Sequence, residues 1–214
     1  MTLLSSRPAV LFLWAAFIVP AAGIAVYSLV LYLTFEPART PIPLNAAVPS
    51  HYAWIVVHAL PASAALLLGP IQLIPGLRRA RPGWHRVLGR IYAASVAIGS
   101  VSGIVAAVIS TSGFPAQVGL GLLAFAWAFT LWKGYTAARA RRIPQHPLWM
   151  IRNVALTYAA VLLRVFLGLG SLLAEVWPAL TFRDLYTASL WAAILVSVLV
   201  VEWAFATSAT SRGL

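Results

Sequence analysis

The sequence predicts an all-α fold, a polytopic transmembrane bundle of six helices, and three observations carry this prediction. Of the 214 residues, 62% are hydrophobic and only 9% are charged. The mean hydropathy of +0.90 lies far above that of soluble domains. The apolar residues form runs whose length is close to the ~20 residues that a helix needs to cross a bilayer. Runs of this length are too long for the strands of a membrane barrel. We expect one integral membrane domain over residues 1–214.

The apolar runs place the six spans in order along the chain. They lie near residues 9–34, 52–74, 87–110, 117–138, 149–173 and 186–208. The first and sixth are expected at the periphery, although the sixth carries Glu202. The core is expected within residues 52–173.

Polar and small side chains mark the inward faces of three spans. They repeat every seven residues in the second span, where the pattern is His51, His58, Ala65 and Gln72. The third span carries Tyr92, Ser95, Gly99 and Ser102, and Gly99 and Gly103 of its GSVSG segment allow close backbone approach to a neighbour. In the fifth span the stripe is Asn153, Thr157, Ala160, Arg164, Gly168 and Ser171. Because lipid would leave such groups unpaired, we expect these faces to point into the bundle.

The basic residues predict the orientation of the bundle. Two connecting regions, with the helix ends beside them, carry Arg78, Arg79, Arg81, Arg86, Arg90, Lys133, Arg139, Arg141, Arg142 and Arg152. With six spans these regions share a face with both termini, where Arg7 and Arg212 lie, and the opposite face has only Arg39 and Arg183. The positive-inside rule makes the basic face and both termini cytoplasmic. We expect the bacterial cytoplasmic membrane.

Three ionisable residues within the spans are candidates for handling protons or charge. They are His58, Arg164 and Glu202. By depth, Arg164 comes closer to His58 than to Glu202, since the helical rise is ~1.5 Å per residue. For Glu202 the simpler alternative is an ion pair that fastens the sixth span to the fourth or fifth.

A layer of polar residues at the cytoplasmic boundary is the candidate cofactor site. Its members are Gln72, His85, Arg86, Arg90, His146 and Arg152. His85 and His146 could supply two axial nitrogens to haem iron, with arginines meeting the propionates. The same groups could bind a quinone headgroup or an anionic lipid headgroup. The alternative is interface anchoring, because such side chains also occupy the membrane boundary of proteins without a cofactor.

Composition excludes several other function classes. The chain has no cysteine, which excludes disulfides, thiol chemistry and cysteine-held clusters. The net charge of +11 falls in short segments between apolar runs, so we expect no nucleic acid partner. No HExxH, P-loop or CxxC motif occurs, and four acidic residues are too few for a carboxylate-bridged metal pair.

Two blocks resemble a family of bacterial multi-pass membrane proteins catalogued as a domain of unknown function. The blocks are GPIQLIPGLRRARPGWHRVLGRIY, residues 69–92, and HPLWMIRNVALTYAAVLLR, residues 146–164. The shared motifs are Gly-Pro-x-Gln, His-Arg with Gly-Arg-x-Tyr, and His with Trp-Met-x-Arg. The layout is similar to that of membrane b-type cytochromes, which implies haem b near helix ends.

Two functions stay open from the sequence. The first is electron transfer linked to haem b or quinone, with ligands at the cytoplasmic boundary. The second is a non-enzymatic accessory or lipid-binding subunit of a larger membrane complex, in which the same residues hold helices and headgroups together. The motifs decide neither for nor against an enzyme.

Overall fold

The computed structural model describes residues 7–210, and this part of the chain consists of helices and the segments that connect them, with no strand. A short 3₁₀ turn spans Pro37–Arg39. The α-helices are α1 (Arg7–Tyr32), α2 (His51–Gln72), α3 (Pro75–Ala80), α4 (Pro82–Ile109), α5 (Phe114–Arg139), α6 (Gln145–Val176) and α7 (Phe182–Thr210). All of these except α3 are long and apolar enough to cross a membrane. The predicted all-α, six-span fold class is confirmed.

The helix boundaries differ from the apolar runs mainly at the basic face. There α4 and α6 begin several residues before the predicted spans, at Pro82 and Gln145. Their first turns hold polar residues, which an apolar-run criterion leaves out. A proline is tolerated in the first turn, because the N–H that it lacks would have no hydrogen-bond partner within the helix. The additional helix α3 was missed because six residues rich in arginine give no apolar periodicity. As a result His85 and His146 lie in the first turn of helices.

The bundle is organised around the packing of α2 against α4, and each long helix packs against the next in the chain. The largest buried apolar cluster lies between α2, α4, α5 and α6, where Ala65, Tyr92, Trp127 and Val154 meet. A second cluster joins α1 to α2 and α6. These contacts bring the boundary residues of α2, α4 and α6 to one region of the bundle.

Two glycines of the GSVSG segment give space to large side chains of neighbouring helices. A Cβ at Gly99 would lie 2.9 Å from Cζ3 of Trp127, and one at Gly103 would lie 2.9 Å from Nδ1 of His58. Neither separation is compatible with a methyl group unless the partner moves. The close approach predicted for this segment is therefore made by side chains, Trp127 from α5 and His58 from α2.

The predicted inward stripe of α6 holds for only part of the helix. Asn153 and Thr157 are buried, but Gly168 and Ser171 are exposed. At 32 residues the helix is about 48 Å long, well beyond the ~30 Å hydrocarbon core. Toward its end α6 still contacts α7, where a Cβ at Gly170 would lie 3.2 Å from Cδ2 of Leu185, but Gly168 and Ser171 face outward. The expectation of a continuous inner face is therefore wrong in these last turns.

The connecting segments define two faces. We call the face that carries α3 and the α5–α6 connection the basic face; its arginines include Arg78, Arg79, Arg139, Arg141 and Arg142. The opposite face is covered in part by residues 33–50, where the side-chain Nδ2 of Asn45 donates to the carbonyl of Ile109 at 2.9 Å. Arg212 and the side chain of Arg7 lie outside the described residues.

Candidate functional site

Two cavities lie between the helices, one toward each face. The basic-face cavity has a volume of about 510 Å³, and the opposite-face cavity has a volume of about 220 Å³. Ligand pockets in proteins commonly have volumes of ~300–1,000 Å³. The basic-face cavity is therefore large enough for a cofactor, whereas the smaller one suits a single ring.

Five of the six predicted cofactor-site residues line the basic-face cavity. They are Gln72, His85, Arg86, Arg90 and His146. Sequence reasoning missed Arg78, Tyr135 and Arg139, which also line it. No pattern distinguished them, because Arg78 and Arg139 look like the other basic residues of the connecting segments. The cavity thus brings together two imidazoles and four guanidinium groups, from Arg78, Arg86, Arg90 and Arg139.

The tautomer of neutral His146 is fixed by the backbone of α5. Its Nδ1 lies 2.9 Å from the carbonyl oxygen of Gly134. A carbonyl only accepts, so Nδ1 must carry the proton and Nε2 keeps its lone pair. Gly134 is tightly packed, since a Cβ there would lie 2.6 Å from Sδ of Met150. The close α5–α6 contact at Gly134 therefore holds the ring of His146 at the cavity.

His85 and Gln72 leave polar atoms unpaired beside the same cavity. Nδ1 of His85 and Nε2 of Gln72 are buried and have no hydrogen-bond partner among residues 7–210. The rings of His85 and His146 lie within electrostatic range of each other. Buried polar atoms without a partner are uncommon in folded proteins and often mark a place where water or a ligand binds. This part of the cavity is therefore suited to a polar ligand.

The sixth predicted residue, Arg152, is not at the cavity. Its Nε and Nη2 donate to the two carboxylate oxygens of Glu202 at 2.5 and 2.8 Å, and its guanidinium lies over the rings of Trp149 and Phe205. The pair joins α6 to α7, which is the ion-pair alternative for Glu202. Depth along the spans allowed both Lys133 and Arg152 as partners of Glu202, and the structure pairs it with Arg152.

The opposite-face cavity brings together His58 and Arg164. Nδ1 of His58 lies 2.7 Å from the carbonyl oxygen of Gly99, which again places the proton of a neutral ring on Nδ1. Arg164 donates from Nη1 to the carbonyl of Ala160 at 2.9 Å and retains exposed surface, so it lies at the rim. None of the ion pairs within the described residues includes it.

A buried cluster of neutral polar side chains separates the two cavities. The hydroxyl of Tyr92 donates to Oδ1 of Asn153 at 2.6 Å, and Nδ2 of Asn153 donates to the carbonyl of Trp127 at 2.7 Å and to Oγ1 of Thr130 at 2.8 Å. Nε1 of Trp127 donates to Oγ1 of Thr157 at 2.8 Å. We call these five residues the polar cluster. Tyr92 lines the basic-face cavity, whereas Trp127 and Thr157 line the other.

No group of three or more His, Asp or Glu residues that could hold a metal ion occurs within residues 7–210. The basic-face cavity offers two imidazoles instead. Two axial side chains are what a haem takes from its protein, because the macrocycle supplies the other four nitrogens.

Comparison with known proteins matches one family model, described as predicted membrane protein (DUF2306), over residues 55–205. The matched region contains His58, His85 and His146 and the Arg152–Glu202 pair, whereas His51, which also lines the opposite-face cavity, lies just before it. No curated protein and no solved structure matches the chain. Since the family model covers well over half of the sequence, the chain belongs to the DUF2306 family of predicted membrane proteins.

Proposed function

We propose that this protein binds haem b in the basic-face cavity and acts in electron transfer in the bacterial cytoplasmic membrane. The observation that carries the proposal is the presence of His85 and His146 on one cavity of about 510 Å³. The two residues come from different helices, and their imidazoles are the groups that would hold the iron of a haem. The excess of arginine at this face supports its assignment to the cytoplasm.

The residues present fit the chemistry of a haem. Nε2 of His146 keeps its lone pair because Nδ1 donates to the carbonyl of Gly134. Imidazoles that bind metals usually donate their other ring N–H to a carbonyl or carboxylate in this way. Nδ1 of the His85 ring has no hydrogen bond within the described part of the chain that would have to be broken. Arginines pair well with carboxylates, so Arg86 and Arg90 would meet the propionates.

The protein residues would position and tune the group. When bound, a haem supplies one-electron exchange at its iron. The arginines bring positive charge to the cavity, and a cation near the iron favours its reduced state. Gln72 has a buried amide nitrogen free to donate to the ligand.

The first test is the absorption spectrum of the detergent-purified protein, oxidised and then reduced with dithionite. A Soret band with sharp reduced α and β bands is expected, and His85→Ala and His146→Ala are each expected to abolish or shift it. His51→Ala is the matched control, since His51 is a buried histidine that does not line the basic-face cavity. Folded protein that stays featureless after haem is supplied during expression would refute the proposal.

A second candidate is the binding of an anionic lipid headgroup, as in an accessory subunit of a larger complex. The observation that favours it is the set of four arginines at the cavity, none of which forms an ion pair within residues 7–210. Basic pockets between helices at the cytoplasmic side bind such headgroups. Native mass spectrometry would then show cardiolipin or phosphatidylglycerol retained, and lost in a variant with Arg86→Gln and Arg90→Gln.

A further inference from the structure

The opposite-face cavity is a second, separate site whose polar groups specify what they can bind. In neutral His58 the Nδ1 proton is donated to Gly99, so Nε2 can only accept. No hydrogen bond to Nε2 exists within the described residues. A ligand that satisfies this atom must therefore carry a hydrogen-bond donor, such as a hydroxyl group.

Arg164 makes the opposite demand on a ligand at the same cavity. It uses Nη1 for the carbonyl of Ala160 and keeps other N–H groups that no described carboxylate meets. A guanidinium has five N–H donors and no acceptor. The ligand must therefore offer an acceptor oxygen to Arg164 as well as a donor to His58.

The size and lining of the cavity restrict the body that joins these two groups. An apolar cavity of roughly 150 Å³ is enough to hold benzene, so about 220 Å³ has room for one substituted six-membered ring. Apolar residues form most of the lining, and the indole of Trp127 stands beside His58 with ring centroids 6.4 Å apart. A flat ring with oxygens at its ends fits this space.

A hydrophobic tail has a way out of the cavity into lipid. The lining includes Ile24 of α1 and Tyr186 of α7, yet α1 and α7 do not pack extensively against each other. Arg164 of α6 also lines the cavity and retains exposed surface, so the cavity reaches the surface of the bundle there. The ligand can therefore belong to a membrane-soluble molecule whose tail remains in the bilayer.

We propose that the opposite-face cavity binds the headgroup of a membrane-soluble quinol, with a hydroxyl donating to Nε2 of His58 and the other oxygen accepting from Arg164. The reduced form binds in preference to the quinone, because a quinone carbonyl cannot donate to an accepting nitrogen. A fatty acid carboxylate would satisfy Arg164 but would leave Nε2 of His58 unpaired. This proposal does not depend on haem in the other cavity.

The test measures the Kd of decylubiquinol and of decylubiquinone, without oxygen, for the full chain in phosphatidylcholine nanodiscs. We expect the quinol to bind about ten-fold more tightly, which is the effect of one hydrogen bond of ordinary strength. His58→Phe keeps a ring but removes the acceptor, so the preference should disappear. Arg164→Gln should weaken both forms by a similar factor.

Two glycine variants give a matched pair that leaves the polar groups in place. Gly103→Ala puts a methyl group 2.9 Å from Nδ1 of His58 and must displace the ring, whereas a methyl group at Gly121 meets nothing within 4 Å. Gly103→Ala is expected to weaken quinol binding about ten-fold, and Gly121→Ala is expected to preserve it. His58→Leu, which also removes the acceptor, serves where either His58→Phe or Gly103→Ala fails to give folded protein.

Three results would overturn the proposal. The first is equal affinity for the quinol and the quinone. The second is quinol binding that persists unchanged in His58→Phe, His58→Leu and Gly103→Ala. The third is displacement of the quinol by laurate, together with laurate binding that needs Arg164 but not His58. That result would identify the cavity as a carboxylate site. The haem spectrum of each variant reports on the other cavity and keeps the two proposals separate.

Discussion

The polar cluster offers the sharpest test of the packing around both cavities. Asn153 is fully buried, and its side chain makes three hydrogen bonds, to Tyr92, to the carbonyl of Trp127 and to Thr130. Asn153→Leu keeps a side chain of similar length and removes all three. Tyr92→Phe removes only the hydroxyl that donates to Oδ1 of Asn153 at 2.6 Å and touches Thr157 at 3.0 Å.

The expected loss follows from the count of bonds. Side-chain hydrogen bonds within membrane bundles contribute ~0.6 kcal/mol on average and at most ~1.7 kcal/mol. Three such bonds give about 2 kcal/mol for Asn153→Leu. The carbonyl of Trp127 adds no further loss, because it keeps the hydroxyl of Thr130 as a donor at 3.1 Å. Tyr92→Phe is expected to cost about 1 kcal/mol, toward the upper part of that range for one bond because the bond is short and buried.

The assay is the free energy of unfolding of the purified protein in mixed detergent micelles, measured for both single variants and the double variant. A coupling energy of about 0.6–1.7 kcal/mol is expected between Tyr92 and Asn153. Ser63→Ala is the control, since this buried hydroxyl donates only to Ala59 of its own helix. Additive losses, with coupling below ~0.3 kcal/mol, would refute the proposed bond between the two side chains.

Three further predictions concern orientation, the ion pair and the glycine contacts. The chain has no cysteine, so Arg141→Cys and Arg39→Cys each create a single thiol. An impermeant maleimide added to intact cells should label only the Arg39→Cys variant. Labelling of only the Arg141→Cys variant would show the reverse orientation. Neutralising either Arg152 or Glu202 should lower the free energy of unfolding by up to about 1 kcal/mol. Exchanging the two charges should restore part of this free energy. Additive losses when both residues are neutralised would argue against pairing. Gly99→Ala should lower the free energy of unfolding by about 1–3 kcal/mol because the added methyl group meets Trp127, whereas Gly121→Ala should not lower it. Equal stability of the two variants would contradict the contact between Gly99 and Trp127.

The six helices could be predicted because the bilayer imposes a length on every apolar run. The same constraint gave useful depths along each helix, which is why His58 and Arg164 were expected near each other and now line one cavity. The common position of His85 and His146 at one face followed from the alternation of the spans. Depth and face are one-dimensional properties that the sequence contains directly.

Rotation about the helix axes and the choice of partner could not be predicted in this way. Arg152 turns toward α7 and Glu202 instead of the basic-face cavity, although its depth equals that of the boundary layer. Likewise, the hydrogen bonds from His58 to Gly99 and from His146 to Gly134 require two helices to approach at a glycine. Such contacts depend on the combined packing of several helices, which spacing along one helix does not specify.

The polar cluster also explains why the two cavities can act as separate sites. Each hydroxyl group has one proton: Tyr92 gives its proton to Oδ1 of Asn153, and Thr157 gives its own to the backbone carbonyl of Asn153. The 3.0 Å contact between the two hydroxyls therefore becomes a hydrogen bond only when one of these protons turns away from Asn153. With both protons held and both donors of the amide satisfied, the barrier between the cavities is neutral and stiff. In the unaltered protein, a ligand in one cavity should then leave the affinity of the other cavity unchanged. Coupling between the two cavities is expected only in variants that disturb Asn153.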